Sequence, residues 1–285
     1  MSILRYDVLI KVVELGSLSK AAELLGYTQP GISHILNALE EEWGVQLLTR
    51  GRSGVQLTTE GELLLPTIRQ VCSVHGDLLH QVSKIKGVES GTVRLGTIKS
   101  VSAYYLPGII KAFKQAHPDI RFELFHGEDL ENEEWIAAGK VDCGFTLLPT
   151  FKKLTSIDLY EDQMMAILPE DYPVDREAFP IRDFEREPFI YHAGGRKNVE
   201  KQFEALGVKP NIQFTVKDEF SAMQMVEAGL GISLFSEMFL RRTSYRVKML
   251  PLDPPNRRRL GLVYNSRSYL SHAAKEFIAF IKNQK

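Results

Sequence analysis

Between Gln29 and Asn37 the chain carries an amide, a proline, a hydroxyl, an imidazole and a second amide, at Gln29, Pro30, Ser33, His34 and Asn37. Such groups meet the edges of base pairs: a glutamine amide bonds an adenine edge at two atoms, and the CH groups of Pro30 fit a thymine methyl. Thr28 precedes them as a hydroxyl suited to holding a helix start. Arg50 and Arg52 follow in "TRGRSG", and their planar forks suit a phosphate backbone or a minor groove. A second constellation is scattered through the rest of the chain. Ser100, Ser102, Thr146, His192, Gly194 and Arg196 fall where strand-like runs give way to helix-like ones. Hydroxyls, backbone N–H groups and a guanidinium converging at such junctions suit a small polar or anionic metabolite, although each hydroxyl taken singly fits an N-cap or a turn better.

Catalytic chemistry has less to stand on. The sequence holds no Gly-rich phosphate loop, no nucleophile elbow and no close pair of metal-ligand motifs, so no catalytic residue, cofactor or metal is expected. His126 and His192, each closing a strand-like run, are what remains for an enzyme reading. The 35 basic residues nearly cancel the 36 acidic ones, which excludes a chain-wide positive field, so any nucleic-acid contact must be local. Even the segment through Thr58 has five basic residues against six acidic ones. Cys72 and Cys143 read as separate buried thiols. No window approaches the ~18 uncharged apolar residues of a membrane span, which places the protein in the cytoplasm. A length of 285 residues with 44% apolar content fills two cores.

The elements that must position these groups follow from periodicity. Leu4, Val8, Leu9, Val12 and Val13 predict a helix over 3–15, and Ser17 and Gly26 bracket a second. A third starts at Thr28 with Pro30 in its first turn; Ile32, Ile35, Leu36 and Leu39 form its inner stripe. Its outer face is therefore the polar set above. Glu40, Glu41 and Glu42 at its far end would repel phosphates, so an entry into the major groove is N-terminus first. The same face also fits an ordinary solvated helix. "VQLLTRGRSGVQLT" predicts a hairpin with arginines near its tip, a wing. Thr59 to Glu62 reads as a capping box opening a helix with Leu64, Ile68, Val71, His75, Leu78, Val82 and Ile85 in heptad register, a seam for a second copy of the chain. His75 sets register within it, and "GVESG" reads as a hinge.

The stretch "GSLSKAAELLGYTQPGISHILNALEEEWGVQLLTRGRSGVQLTTEG" resembles the winged helix-turn-helix of LysR-type transcriptional regulators. That resemblance implies that Thr28 and Ser33 touch phosphates, that Gln29 and Pro30 meet base edges, that His34 reads a base, and that the wing arginines lie along the minor groove. The implied DNA is a pseudo-palindromic operator bound by a dimer, with tetramers formed through the C-terminal domains.

From residue 92 strands alternate with helices: "TVRLGTI", "YYLPGIIKAFKQAHP", "IRFELFHG", "EDLENEEWIAAG" and "VDCGFTLL", then "MMAILP", "PFIYH", "KNVEKQFEALG", "IQFTV", "FSAMQMVEAG", "GISLF", "RLGLVYN" and a final helix from Ser271. This pattern predicts an α/β fold of two lobes with a parallel sheet covered on both faces and ligands at its strand ends. "GTVRLGTIKS", "GKVDCGFTLL" and "VEAGLGISLF" resemble the LysR effector domain, similar to periplasmic solute-binding proteins of type 2, with Phe235-Ser236 where the family commonly has Leu-Pro. The expected domains are 1–58 for DNA, 59–90 for linker and dimer, and 91–285 for the effector. A solute-binding protein is the competing reading, and it would need a signal peptide and no N-terminal 90 residues. Arg257, Arg258 and Arg259 read as a solvated strand entrance, and Met164, Met165, Met223 and Met225 as core fillers.

Overall fold

The computed structural model describes residues 3–51, 54–85, 91–192, 203–241, 244–266 and 270–284. Arg52, Gly194 and Arg196, the expected hinge at 87–90 and most of the helix expected over 197–207 lie outside them. Three helices open the chain, α1 (Ile3–Leu15), α2 (Leu18–Leu25) and α3 (Gln29–Trp43). The caps fall where the sequence puts them: Ser17 accepts from Lys20 N, Thr28 accepts from Gly31 N, and Gly26 closes α2 at φ 71°. Val8, Leu9, Val12, Ile32, Leu36 and Leu39 are buried together, each contributing about 1.5–3 kcal/mol. Leu4, expected in this stripe, is exposed, and Tyr6 takes the buried place, its ring against Trp43.

The hairpin pairs β1 (Leu48–Gly51) with β2 (Gly54–Leu57), antiparallel, Leu48 opposite Leu57. Under it runs α4 (Thr59–Ile85). Its cap is Thr58, not Thr59: the Thr58 hydroxyl accepts from Gly61 N at 2.9 Å and donates to Gln46 O at 2.7 Å, pinning the helix start to the wing. A side chain at Gly61 would put its Cβ 2.3 Å from Leu47 O, so only glycine permits that approach. The expected heptad divides in two. Leu64 and Ile68 pack into the N-terminal core, because α1 lies on this end of α4. Val71, Leu78 and Val82 are exposed, and Leu63 and Val74 join them on one apolar stripe.

The C-terminal part builds β3 (Gly91–Thr97), α5 (Lys99–Tyr104), α6 (Leu106–Ala116), β4 (Ile120–His126), α7 (Asp129–Ala137) and β5 (Cys143–Leu148) as one lobe. The helix expected over 104–118 is α6, with Pro107 in its first turn where the missing N–H is no loss, and the short α5 before it was not expected. The chain crosses to the second lobe along β6 (Thr155–Pro169), of which only the latter half, Met164–Pro169, is the expected "MMAILP" strand. There it forms β7 (Phe179–Pro180), β8 (Phe189–His192), β9 (Ile212–Val216), α8 (Glu219–Glu227), β10 (Ser233–Ser236), α9 (Glu237–Leu240) and β11 (Val247–Asp253). It returns along β12 (Arg257–Tyr264) and ends in α10 (His272–Asn283), capped by Ser271.

The sheet is mixed, not parallel. β3 pairs in parallel with β4 and β5, whereas β12 is antiparallel to both β5 and β6, and β6 is antiparallel to β10 and β11. A chain that leaves one lobe on β6 and comes back on β12 must run the two strands in opposite directions. Phe113, Phe145 and Phe277 fill the first lobe; Phe179, Phe184 and Phe189 fill the second. Met164 and Met223 are buried core residues, as expected. No helix among the described residues is long and apolar enough to cross a membrane.

Candidate functional site

The outer face of α3 is built by its own inner stripe. With Ile32, Leu36 and Leu39 turned inward, the 3.6-residue period leaves Gln29, Pro30, His34 and Asn37 exposed and Ser33 half-buried. Thr28 spends its hydroxyl on Gly31 N at 3.2 Å. Arg50 does not project outward from the wing. Its guanidinium donates to Ser33 Oγ and Asn37 Oδ1, both at 2.7 Å, and so ties the hairpin to the outer face of α3. The acidic end of α3 is also engaged: Glu40 Oε1 accepts from Leu47 N and Leu48 N, and Glu42 pairs with Arg5 at 2.6 Å. The repulsion expected from those carboxylates is thereby reduced, and Glu40 orients the wing instead.

The second site lies where the lobes meet. Ser100, in the first turn of α5, is buried, and its Oγ accepts from Arg258 Nη2 at 2.9 Å. The same guanidinium donates to Ser236 Oγ at 2.7 Å and, from Nε and Nη2, to Asp162 Oδ2 at 2.8 and 2.6 Å. Asp162 is wholly buried, and its other oxygen accepts from Met238 N at the start of α9. One arginine therefore ties Ser100 of the first lobe to Ser236 of the second. Beside it, Lys99 pairs with Glu219 of α8 at 3.1 Å, a second bridge across the crevice.

His192 closes β8 in the same place. Its Nε2 donates to Leu234 O at 3.1 Å, which leaves Nδ1 as a buried lone pair without a partner among the described residues, and the ring stacks on Phe235 at 4.5 Å. Burial lowers its pKa and keeps it neutral; Glu219 acts against that shift, and Lys99 and Arg258 act with it. Ser102 donates to Lys99 O and stands 3.3 Å from His126 Nδ1. Thr146 does not present its hydroxyl to the crevice: it is fully buried on β5 and donates to Asp129 Oδ1 at 2.9 Å, which holds the start of α7.

Arg258 is the residue that the sequence reading placed wrongly, as solvated. In a strand, neighbours point to opposite faces, so Arg257 and Arg259 reach exposed partners, Glu161 and Asp158, while Arg258 turns inward to Asp162 opposite it. Alternation through "RRRLGLVY", set against "DLYEDQMM", was the signal available. Ser236 and the Lys99–Glu219 pair carried no comparable mark.

Two family models match the chain: the bacterial regulatory helix-turn-helix protein of the lysR family over residues 4–62, and the LysR substrate binding domain over 86–285. An uncharacterized HTH-type transcriptional regulator of Bacillus subtilis, YvbU, is 33% identical over 287 residues, covering 99% of this chain and 98% of its own. Full-length CbnR in complex with its target DNA superposes with a TM-score of 0.68 at 19% identity, both chains covered in full at 100%. The effector binding domain of QuiR in complex with shikimate superposes with a TM-score of 0.61 at 21% identity, over 68% of this chain and 97% of that domain.

Proposed function

This chain belongs to the LysR family of bacterial helix-turn-helix regulators, and on that premise we propose how its residues divide the work of a cytoplasmic DNA-binding transcriptional regulator controlled by a small-molecule effector. The observation that carries the assignment is the exposed outer face of α3, held against a wing by Arg50. Gln29, Pro30 and His34 meet base edges in the major groove, while Thr28, Ser33 and Asn37 sit at its margin with Arg50. Arg52, outside the described residues, is expected from the sequence to serve the neighbouring backbone or minor groove. A dimer formed on the exposed stripe of α4, Val71 to Val82, places two such faces on the halves of a pseudo-palindrome; a tetramer would add contacts through the effector domains. The working units are 1–58, 59–90 and 91–285, and none of them performs a catalytic step.

The effector is a small polar or anionic metabolite seated between the lobes, against Ser100, Arg258, Ser236 and His192, with Ser102 close by; Gly194 and Arg196, the remaining residues expected to serve it, lie outside the described residues. A ligand there must exchange its own hydrogen bonds for those that Arg258 makes across the crevice, and must offer a donor to His192 Nδ1. Moving the lobes changes the angle of the reading helices, a coupling of about 1–3 kcal/mol. The QuiR–shikimate likeness supports an organic acid with hydroxyls as the class to try first. Footprinting on the DNA that flanks its own gene tests the first half: the expected outcome is two protected half-sites about one helical turn apart. Thermal-shift screening of hydroxy acids against wild type and Ser100→Ala tests the second, and a ligand that stabilises both equally binds elsewhere.

A further inference from the structure

Arg69, Ser73 and Asp77 follow one another at intervals of four along α4, so they form one row of the helix, distinct from the apolar stripe of Val71, Val74, Leu78 and Val82. The charged residues at the two ends of the row are buried, Arg69 at 6% exposure and Asp77 at 7%. Each meets the end of a helix in the first lobe of the effector domain, and the signs match the helix dipoles. Arg69 Nη1 donates at 3.1 Å to Ala138 O, the carbonyl that closes α7, and a helix C-terminus is the negative end. Asp77 Oδ1 accepts at 2.9 Å from His272 N in the first turn of α10, the positive end. Eight residues, about 12 Å of helix, separate the two contacts.

A buried guanidinium is costly at this place. Arg69 Nε is buried without a partner among the described residues. Burial lowers the Arg69 pKa, Arg94 acts in the same sense, and Glu14 of α1 acts against both. A methionine would fill the space without that desolvation; what the arginine adds is a directed bond to one carbonyl, which specifies where α4 sits on the lobe. The influence of Glu14 also places Arg69 where α1, α4 and the lobe meet. On the other side of that junction α4 belongs to the N-terminal unit: α1 packs on it, Leu64 and Ile68 enter the same core, and the Thr58 cap pins its start to the wing. Inside the lobe, α7 is held at its start by Asp129, which accepts from Thr146 Oγ1 and Leu147 N on β5. Arg69 holds its other end.

We infer that Arg69 and Asp77 are positioning residues for DNA binding, a two-point clamp that seats α4 on the chain's own effector lobe and passes movement of that lobe to the reading helix. The inference rests on the reading of α3 as the face that meets DNA. Because α3, the wing and the first half of α4 are packed together, the orientation of α4 on the lobe is also the orientation of α3. Two contacts at separate points fix a direction, which a single contact leaves free to pivot.

Hydrogen exchange of the full-length protein, followed by mass spectrometry, separates a clamp from two independent helix caps. Arg69→Met should speed exchange of the amides at 272–275 at least tenfold, although these lie at the far contact. Asp77→Ala should do the same for the amides at 138–141. Arg69→Lys keeps a donor for Ala138 O and Asp77→Asn keeps an acceptor for His272 N, so both should restore wild-type exchange. A duplex taken from the DNA that flanks the gene is then added. In wild type it should protect α3 and also alter exchange at 138–141 and 272–275; Arg69→Met and Asp77→Ala should keep the first effect and lose the second. Faster exchange confined to the substituted end, or far-end loosening that Arg69→Lys and Asp77→Asn share, overturns the clamp. Protection of α3 in wild type with an unchanged lobe overturns its part in DNA binding. Absence of α3 protection counts instead against the reading face, and the exchange measured without DNA then decides the clamp alone.

Discussion

The reading face of α3 and the crevice between the lobes handle their polar groups in opposite ways. On α3, Gln29 and His34 stand exposed to solvent, and the scaffold beneath them is apolar and short-range: their positions follow from Ile32, Leu36 and Leu39 on the same helix. In the crevice the polar groups are spent on one another, Arg258 on Ser100, Ser236 and Asp162, Lys99 on Glu219. A surface that recognises a large, charged, always-hydrated partner can leave its donors in water, whereas a closed site must satisfy its buried polar atoms in the absence of a ligand. The crevice therefore contributes to fold stability, and the polar outer face of α3 contributes almost none. Arg50 is the exception that joins the two modes, because it already holds Ser33 and Asn37.

The strongest test of this contrast is stability. Asp162→Ala strands the part-buried Arg258 charge and frees the buried Met238 N, so it should cost about 3 kcal/mol by chemical denaturation, while His34→Ala should change stability by less than about 0.5 kcal/mol. Comparable losses at the two positions would erase the distinction. On DNA the ranking reverses. Gln29→Ala should cost about 1–3 kcal/mol of binding and relax preference at one base pair, read by fluorescence anisotropy against operator variants; unchanged preference would remove Gln29 from the groove. Arg50→Ala should weaken all sequences alike and flatten the salt dependence by about one unit, and as a surface contact it should cost the fold at most about 1 kcal/mol. A sequence-selective loss would instead make Arg50 a positioning residue for Asn37.

The smallest effect concerns pH. His192 is held neutral because burial lowers its pKa below the ordinary value of 6.5. The unfolded chain takes up a proton that the folded ring resists, so the contribution is complete above about pH 6.5 and is lost as pH falls from there through the folded value. Denaturation midpoints between pH 7.5 and 5 should fall less steeply for His192→Gln than for wild type. Parallel slopes would mean that the ring is as easily protonated in the crevice as in water.

Much of the N-terminal architecture was legible in the residues because its causes are local. Ser17, Thr28 and Gly26 act within one turn of their own positions, and the apolar period that fixes α3 also fixes which side chains point outward. The heptad on α4 was legible as a pattern but not as a surface: Leu64 and Ile68 obey the same spacing as Leu78, yet α1 covers them. The Thr58 cap was missed by one residue for a similar reason, since Gln46 O, far off in sequence, is what selects between Thr58 and Thr59.

By itself the sequence determined the winged helix-turn-helix, the outward face of its third helix, the two-lobed α/β domain and the family, because periodicity, capping and short motifs are properties of neighbours along the chain. Only the tertiary structure decided that β12 returns antiparallel, that Thr146 turns to Asp129 and that Arg258 is the tie of the crevice. Each of these depends on pairs such as Ser100 and Arg258, 158 positions apart. Local preference carries no information about which distant residue a charge will meet, and for a buried charge that partner decides whether it is tolerated at all.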